Sequence, residues 1–204
     1  MNMATYVLVH GAWGGAHGWR KVRPLLRTAG HEVFTPSLTG IGERSHLSTP
    51  QVNLSMQIED VANVLHYEDL RDIVLVGYSY GGMVVTGVVD RMGDRVAHLV
   101  YLDAFLPADG DSAFGMIGGD VAQQAEGDWL VPSPARQYDD PAEQAWAEAR
   151  RVGHPRGCFT EPVRLSKPLE QWPFSPTYIK ATGEPRPDGS PHPFWRAADS
   201  TREN

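Results

Sequence analysis

Along its first hundred residues the chain alternates short apolar runs with amphipathic stretches. Thr5-Tyr6-Val7-Leu8-Val9, His31 to Pro36, Asp72 to Gly77 and Val96 to Leu102 are continuous apolar or β-branched runs of strand length. Between them Trp19, Val22, Leu25 and Leu26 recur at helical spacing despite Pro24, and Gly30 falls where a C-terminal cap belongs. Ile58, Val61, Ala62, Val64 and Leu65 form the apolar stripe of a second helix, over Leu54 to Tyr67, and a third follows from Met83. Strands of this kind, each followed by a helix, predict a parallel sheet covered on both faces. Ser37 to Thr49, rich in glycine and polar residues, reads as a loop.

From Pro107 to Pro168 the pattern changes. Pro, Gly, Asp, Gln and Ala dominate, apolar clusters are short, and only Pro141 to Arg151 reads as a helix. An insertion of this kind after a core strand predicts a cap over a site, with Thr177 to Thr182 returning to the sheet as the last strand. The expected organisation is a first core part over 1–106, a cap over 107–168 and a second core part over 169–204.

The chemistry concentrates where the third strand stops. Gly77-Tyr78-Ser79-Tyr80-Gly81 is G-x-S-x-G set between a strand and a helix, the context in which that motif carries a mechanism. Glycines on either side of the serine allow a sharp turn. The helix that follows offers free N–H groups to developing negative charge. The first strand runs into His10-Gly11-Ala12-Trp13-Gly14-Gly15, a loop able to double back and turn the Ala12 N–H toward that of Tyr80 as an oxyanion pair. His10 itself reads as a structural loop residue.

Bulk properties narrow the function classes. At 204 residues, 41% hydrophobic and 21% charged, the chain fits one globular domain. A net charge of −7 without a basic block gives no footprint for nucleic acid or an anionic membrane. One cysteine, Cys158, leaves no intramolecular disulfide, and no Cys/His spacing suits zinc. The N-terminus lacks signal-peptide character and no run has membrane-spanning length, so a cytoplasmic enzyme is expected, without metal or organic cofactor.

Val7 to Trp13, Thr35 to Leu47, Gly77 to Met83, Leu102 to Pro107 and Tyr178 to Thr182 together resemble the α/β-hydrolase superfamily. More narrowly, they resemble the small esterase branch that includes methyl-salicylate esterases, hydroxynitrile lyases and pyrethroid-hydrolase-like carboxylesterases. The resemblance implies a serine carboxylesterase acting on small apolar esters through an acyl-enzyme. Ser79 would be the nucleophile, and the amides of Ala12 and Tyr80 the oxyanion donors, each worth roughly 3 kcal/mol in the transition state. Lyase members carry threonine where this chain has Gly11, which favours ester hydrolysis over cyanide elimination. Gly14 and His17 stand where relatives commonly have His and Trp. Trp13, His17, Phe105 and Trp129 are candidate pocket residues. A non-catalytic relative that binds a small ligand is the other alternative.

Two acids compete for the triad, with Glu184 slightly ahead by position. Glu184 follows the last strand, and Asp103 follows the strand after the elbow, an alternative acid position in the superfamily. Asp188 is third. The base is expected in a Gly-His-like stretch after one further strand, beyond Asn204; His192 reads as a surface histidine. A sheet lacking that strand is expected to be less stable, or to recruit a second copy at its open edge.

Overall fold

The computed structural model describes residues 3–118, 129–174 and 176–182. Five strands build the main sheet: β1 (Thr5–Val9), β2 (Glu32–Phe34), β3 (Ile73–Tyr78), β4 (Val96–Leu102) and β7 (Thr177–Ile179), in the order β2-β1-β3-β4-β7. Every pairing is parallel, as strand–helix alternation requires. Among the described residues β7 is an edge strand, and its Ile179 is 49% exposed.

Period-2 alternation assigns the strand residues to two faces. Val7, Val9, Leu75, Leu99 and Tyr101 pack on one side, against Ile58, Val61 and Leu65 of α2 (Leu54–Tyr67) and Met83, Val84 and Val88 of α3 (Gly81–Met92). Leu8, Val33 and Val76 point the other way, toward Trp19 and Leu26. α2 and β4 have the bounds their sequence patterns predict.

The first helical segment differs from the expectation of one helix over Gly18 to Ala29. It is a 3-10 turn over Ala16–Trp19 followed by α1 (Val22–Thr28). The reason is Pro24. With the helix starting at Val22, the proline occupies the first turn, where its missing N–H would have had no partner in any case. Gly30 takes φ +88 and closes the helix, its N–H donating to the Arg27 carbonyl at 3.0 Å. The loop over Ser37 to Thr49 likewise contains a 3-10 turn, Gly42–Leu47.

Between β4 and β7 lie α4 (Ala113–Ile117), a two-stranded antiparallel pair of β5 (Leu130–Val131) and β6 (His154–Pro155), α5 (Pro141–Glu148) and α6 (Gly157–Thr160). α5 stops short of Arg151, and the two other short helices have too few residues to show a period. This segment is tied back to the start of α1 by Glu143, which accepts from Arg20 at 2.7 Å and Lys21 at 2.9 Å.

The turn after β4 wraps tightly around the start of α3. A Cβ added at Gly82 would lie 2.0 Å from the Phe105 carbonyl oxygen, which is backbone and has nowhere to move. Gly82→Ala is therefore expected to cost more than about 3 kcal/mol, the upper end of overpacking effects. Chemical denaturation checks this; a loss under 1 kcal/mol would mean that the two segments are not this close.

Candidate active site

β3 delivers the chain to Ser79, which sits in the left-handed region at φ 54, a strained conformation for a residue with a Cβ. The strain is over-determined by its surroundings. The Ser79 N–H donates to the Leu102 carbonyl at 3.3 Å, and its own carbonyl accepts from Gly82 and Phe105, both at 3.1 Å. The residue is 8% exposed, and its hydroxyl makes no hydrogen bond to another described residue.

Gly11 brings the first loop against it. A Cβ at Gly11 would lie 3.0 Å from the Ser79 Cβ and 3.2 Å from the Tyr78 ring. The loop is held by His10, whose Nδ1–H donates to the Gly11 carbonyl at 2.9 Å while Nε2 accepts from the Leu38 N–H at 3.2 Å. Both nitrogens are thereby engaged and one tautomer is fixed. Because Gly11 C=O and Ala12 N–H belong to one planar peptide, holding the carbonyl also aims the amide. The N–H groups of Ala12 and Tyr80, both buried residues, donate to no other described residue. Amides of buried residues without protein partners are uncommon; one of these two follows Ser79 directly, and the other follows Gly11, whose Cα packs against the serine.

Two further histidine nitrogens sit deep behind this loop. His154 of β6 is fully buried, with Nδ1 3.4 Å from the Trp13 N–H and Nε2 3.3 Å from the Gln57 side-chain amide nitrogen. Gln57 in turn donates to the Thr39 carbonyl at 2.9 Å and accepts from the Tyr80 hydroxyl at 2.8 Å. Burial pushes the pKa of His10 down to about 4, against a smaller opposing effect of the Gly11 carbonyl. Burial, with His10 adding to it, pushes His154 down to about 3.

These shifts have a consequence for stability. Both folded-state pKa values lie below the unfolded value of 6.5, so between pH 6.5 and about 4 the unfolded chain takes up protons that the folded one refuses. Stability from this source is complete above pH 6.5 and is lost as pH falls, by up to about 1.4 kcal/mol per unit for each histidine. Thermal melts from pH 7.5 to 4.5 should show a falling midpoint, with a shallower slope in His10→Gln.

Asp103 follows β4 directly and is also left-handed, at φ 41. Its N–H donates to the Ile179 carbonyl at 2.8 Å, and Tyr178 pins the next residue by donating to the Ala104 carbonyl at 2.8 Å. One carboxylate oxygen, Oδ1, is buried with no hydrogen-bond partner. Glu184, Asp188 and His192 lie outside the described residues, and none of the described histidines bonds the Ser79 hydroxyl.

A cavity of about 360 Å³ opens beside the elbow, lined among others by Gly11, Ala12, His17, Trp19, Tyr78 and Leu102. Of the four expected pocket residues His17 lines it. Trp13 instead stacks on Phe159 with ring centroids 5.5 Å apart. Phe105 is in the core, and Trp129 is 37% exposed; neither lines this cavity. Phe105 matters through its backbone, which holds Ser79. Gln57 escaped the sequence reading, and His154 was placed only as a residue of the cap. Gln57 was the more legible of the two: it falls three residues after Leu54 and four before Val61, on the apolar stripe of α2, where a polar residue needs a buried partner. Among the described residues no group of three or more His, Cys, Asp or Glu is placed to hold a metal ion, and no helix is long and apolar enough to cross a membrane.

A parallel sheet with a strained serine at a strand–helix elbow, faced by a glycine loop from the first strand, defines an α/β protein of the nucleophile-elbow type. The model of the α/β-hydrolase family matches residues 6–202. A carbendazim-hydrolysing esterase of Nocardioides sp. (strain SG-4G) is 51% identical over 180 residues, covering 80% of this chain and 74% of that protein. Methylesterase 8 of Arabidopsis thaliana is 30% identical over 140 residues, 64% of this chain and 48% of its own length. Among solved structures, an extracellular α/β-hydrolase from a Paenibacillus species superposes with a TM-score of 0.78 at 27% identity, covering 95% of this chain and 85% of that one. It is described as sharing structural and functional homology with tobacco salicylic acid binding protein 2. The chain belongs to the α/β-hydrolase family, on its esterase branch. The match extends over three quarters of the bacterial esterase and less than half of the plant methylesterase.

Proposed function

We propose that this chain hydrolyses small carboxylic esters through an acyl-enzyme on Ser79. The observation that carries the reading is the pair of N–H groups, Ala12 and Tyr80, that donate to no other described residue, next to a serine held in a strained turn. The Ser79 Oγ attacks the ester carbonyl as its proton passes to the histidine base, which then gives it to the departing alcohol, and the carbonyl oxygen takes up negative charge between the two amides. The tetrahedral intermediate then expels the alcohol, and water releases the acid by the same route reversed. Fixed N–H groups serve this step well because they do not reorganise as charge develops.

Asp103 is the better supported acid. It combines backbone strain, a buried carboxylate oxygen without a partner among the described residues, and a position between Leu102 and Phe105, both hydrogen-bonded to Ser79. In this reading its Oδ1 holds the N–H of the histidine that serves as base, a residue outside the described set. The segment over 107–168 acts as a lid, since Glu143 and its neighbours close over the cavity. Gly11, which has no side-chain hydroxyl beside Ser79, disfavours a lyase.

The test is direct. Short 4-nitrophenyl esters, with carbendazim included because the 51%-identical relative hydrolyses it, are incubated with the protein and quenched during turnover. Mass spectrometry should find the acyl group on the peptide containing Ser79. Turnover with no acyl adduct there would overturn the reading.

A further inference from the structure

Trp13, the residue directly after Ala12, is held from three directions by the segment between β4 and β7. Its N–H meets His154 Nδ1 at 3.4 Å, its carbonyl accepts from the Val152 N–H at 3.1 Å, and its indole N–H donates to the Val131 carbonyl at 3.0 Å. Its ring stacks on Phe159 of α6. The backbone at Trp13 is itself left-handed, at φ 62, a conformation that a bulky residue keeps only when its surroundings impose it. On the Gly11 side the grip comes from His10; at Trp13 itself, among the described residues, the hydrogen bonds come from the lid segment.

We propose that His154 is a positioning residue for the oxyanion loop, accepting from the Trp13 N–H so that the lid segment sets the direction of the Ala12 amide. The lid is then part of the catalytic frame as well as a cover. A protonated ring would aim a donor at the Trp13 N–H. Burial and the neighbouring His10 oppose that, keeping the ring neutral and Nδ1 free to accept. The charged groups nearest the loop, Arg151 over the Trp13 ring at 5.8 Å and Glu43 near His17, are both outside this buried network. The inference rests on the proposed oxyanion role of Ala12 only for its effect on rate; the mechanical clamp stands apart from it.

Two variants separate the acceptor from the shape. Leucine at His154 removes the acceptor. Asparagine places an amide oxygen close to the position of Nδ1 and restores it. In His154→Leu the exchange protection of the Trp13 amide should fall at least about tenfold, while the amides of β3 keep theirs. His154→Asn should recover most of the difference. In turnover, His154→Leu should lower kcat by about 10 to 100-fold with little change in KM, and His154→Asn should again recover it. Trp13→Phe keeps the stack on Phe159 and removes the bond to Val131, so it provides a second, milder route to the same kcat effect. Unchanged Trp13 protection in His154→Leu, or equal losses in the Leu and Asn variants, would overturn the proposal. If wild-type protein shows no turnover that depends on Ser79, the esterase reading fails, and the exchange measurements alone decide the clamp.

Discussion

Replacing Ser79 with alanine is expected to lower hydrolysis of short 4-nitrophenyl esters by about a million-fold, leaving only the residual effect of binding and the oxyanion donors. Removing the nucleophile of a serine triad costs on the order of a million-fold in kcat, because the remaining groups bind the ester but have nothing to attack it with. Binding should survive, since the Oγ makes no hydrogen bond to another described residue and its loss leaves no orphaned partner among them. The same position carries a second expectation. Ser79 is held at φ 54, where a Cβ is strained and glycine is not. Ser79→Gly should therefore be inactive and yet more stable than the natural chain, by about 1 kcal/mol. An inactive, stabilised variant is the signature of a backbone kept under strain for its chemistry. Substantial turnover in either variant would move the nucleophile elsewhere, and an inactive wild-type chain that still binds esters would favour the ligand-binding alternative.

Asp103→Asn is expected to lower kcat by about a thousand to ten-thousand-fold, with KM changed far less. Asparagine is nearly isosteric and is among the few residues at ease in the left-handed region, so the φ 41 backbone and the bonds around it should persist. What is lost is charge. A neutral amide cannot stabilise an imidazolium and can select the wrong tautomer of the base, which in a related triad geometry has an effect of this size. The control is Glu184→Gln, assayed with the same ester. Near-normal turnover in Asp103→Asn together with a collapse in Glu184→Gln would assign the acid to Glu184. The pair thus resolves a choice that strand position alone leaves open.

How much of this was readable in one dimension depends on the range of the interaction. The elbow was legible because strand, glycine, serine and helix are consecutive, and the constraint that shapes them is local sterics. α2 was legible to the residue because its stripe runs four turns. Pro24 shows the limit: its position within a helix is allowed or forbidden according to where the helix begins, and here a 3-10 turn shifted that start to Val22. The pocket residues fared worst. Trp13 and Phe105 are large and apolar, so hydrophobicity alone cannot say whether they face a ligand or one another. Trp13 turned to Phe159, which is 146 residues further along the chain.

The sequence by itself determined the class of fold, the elbow and the loop that faces it, since each is encoded by neighbours in the chain whose preferences agree. Only the tertiary structure decided which polar groups are left without partners. The neighbouring N–H groups of Ser79, Asp103 and Trp13 find their partners in segments far away in sequence, the carbonyls of Leu102 and Ile179 and the imidazole of His154, while the amides of Ala12 and Tyr80 and the Oδ1 of Asp103 find none among the described residues. Hydrogen-bond satisfaction is a property of the packed molecule and leaves no periodicity behind. The site is therefore written in two places: its serine in the order of residues, and the groups that would act with it in what the fold leaves unpaired.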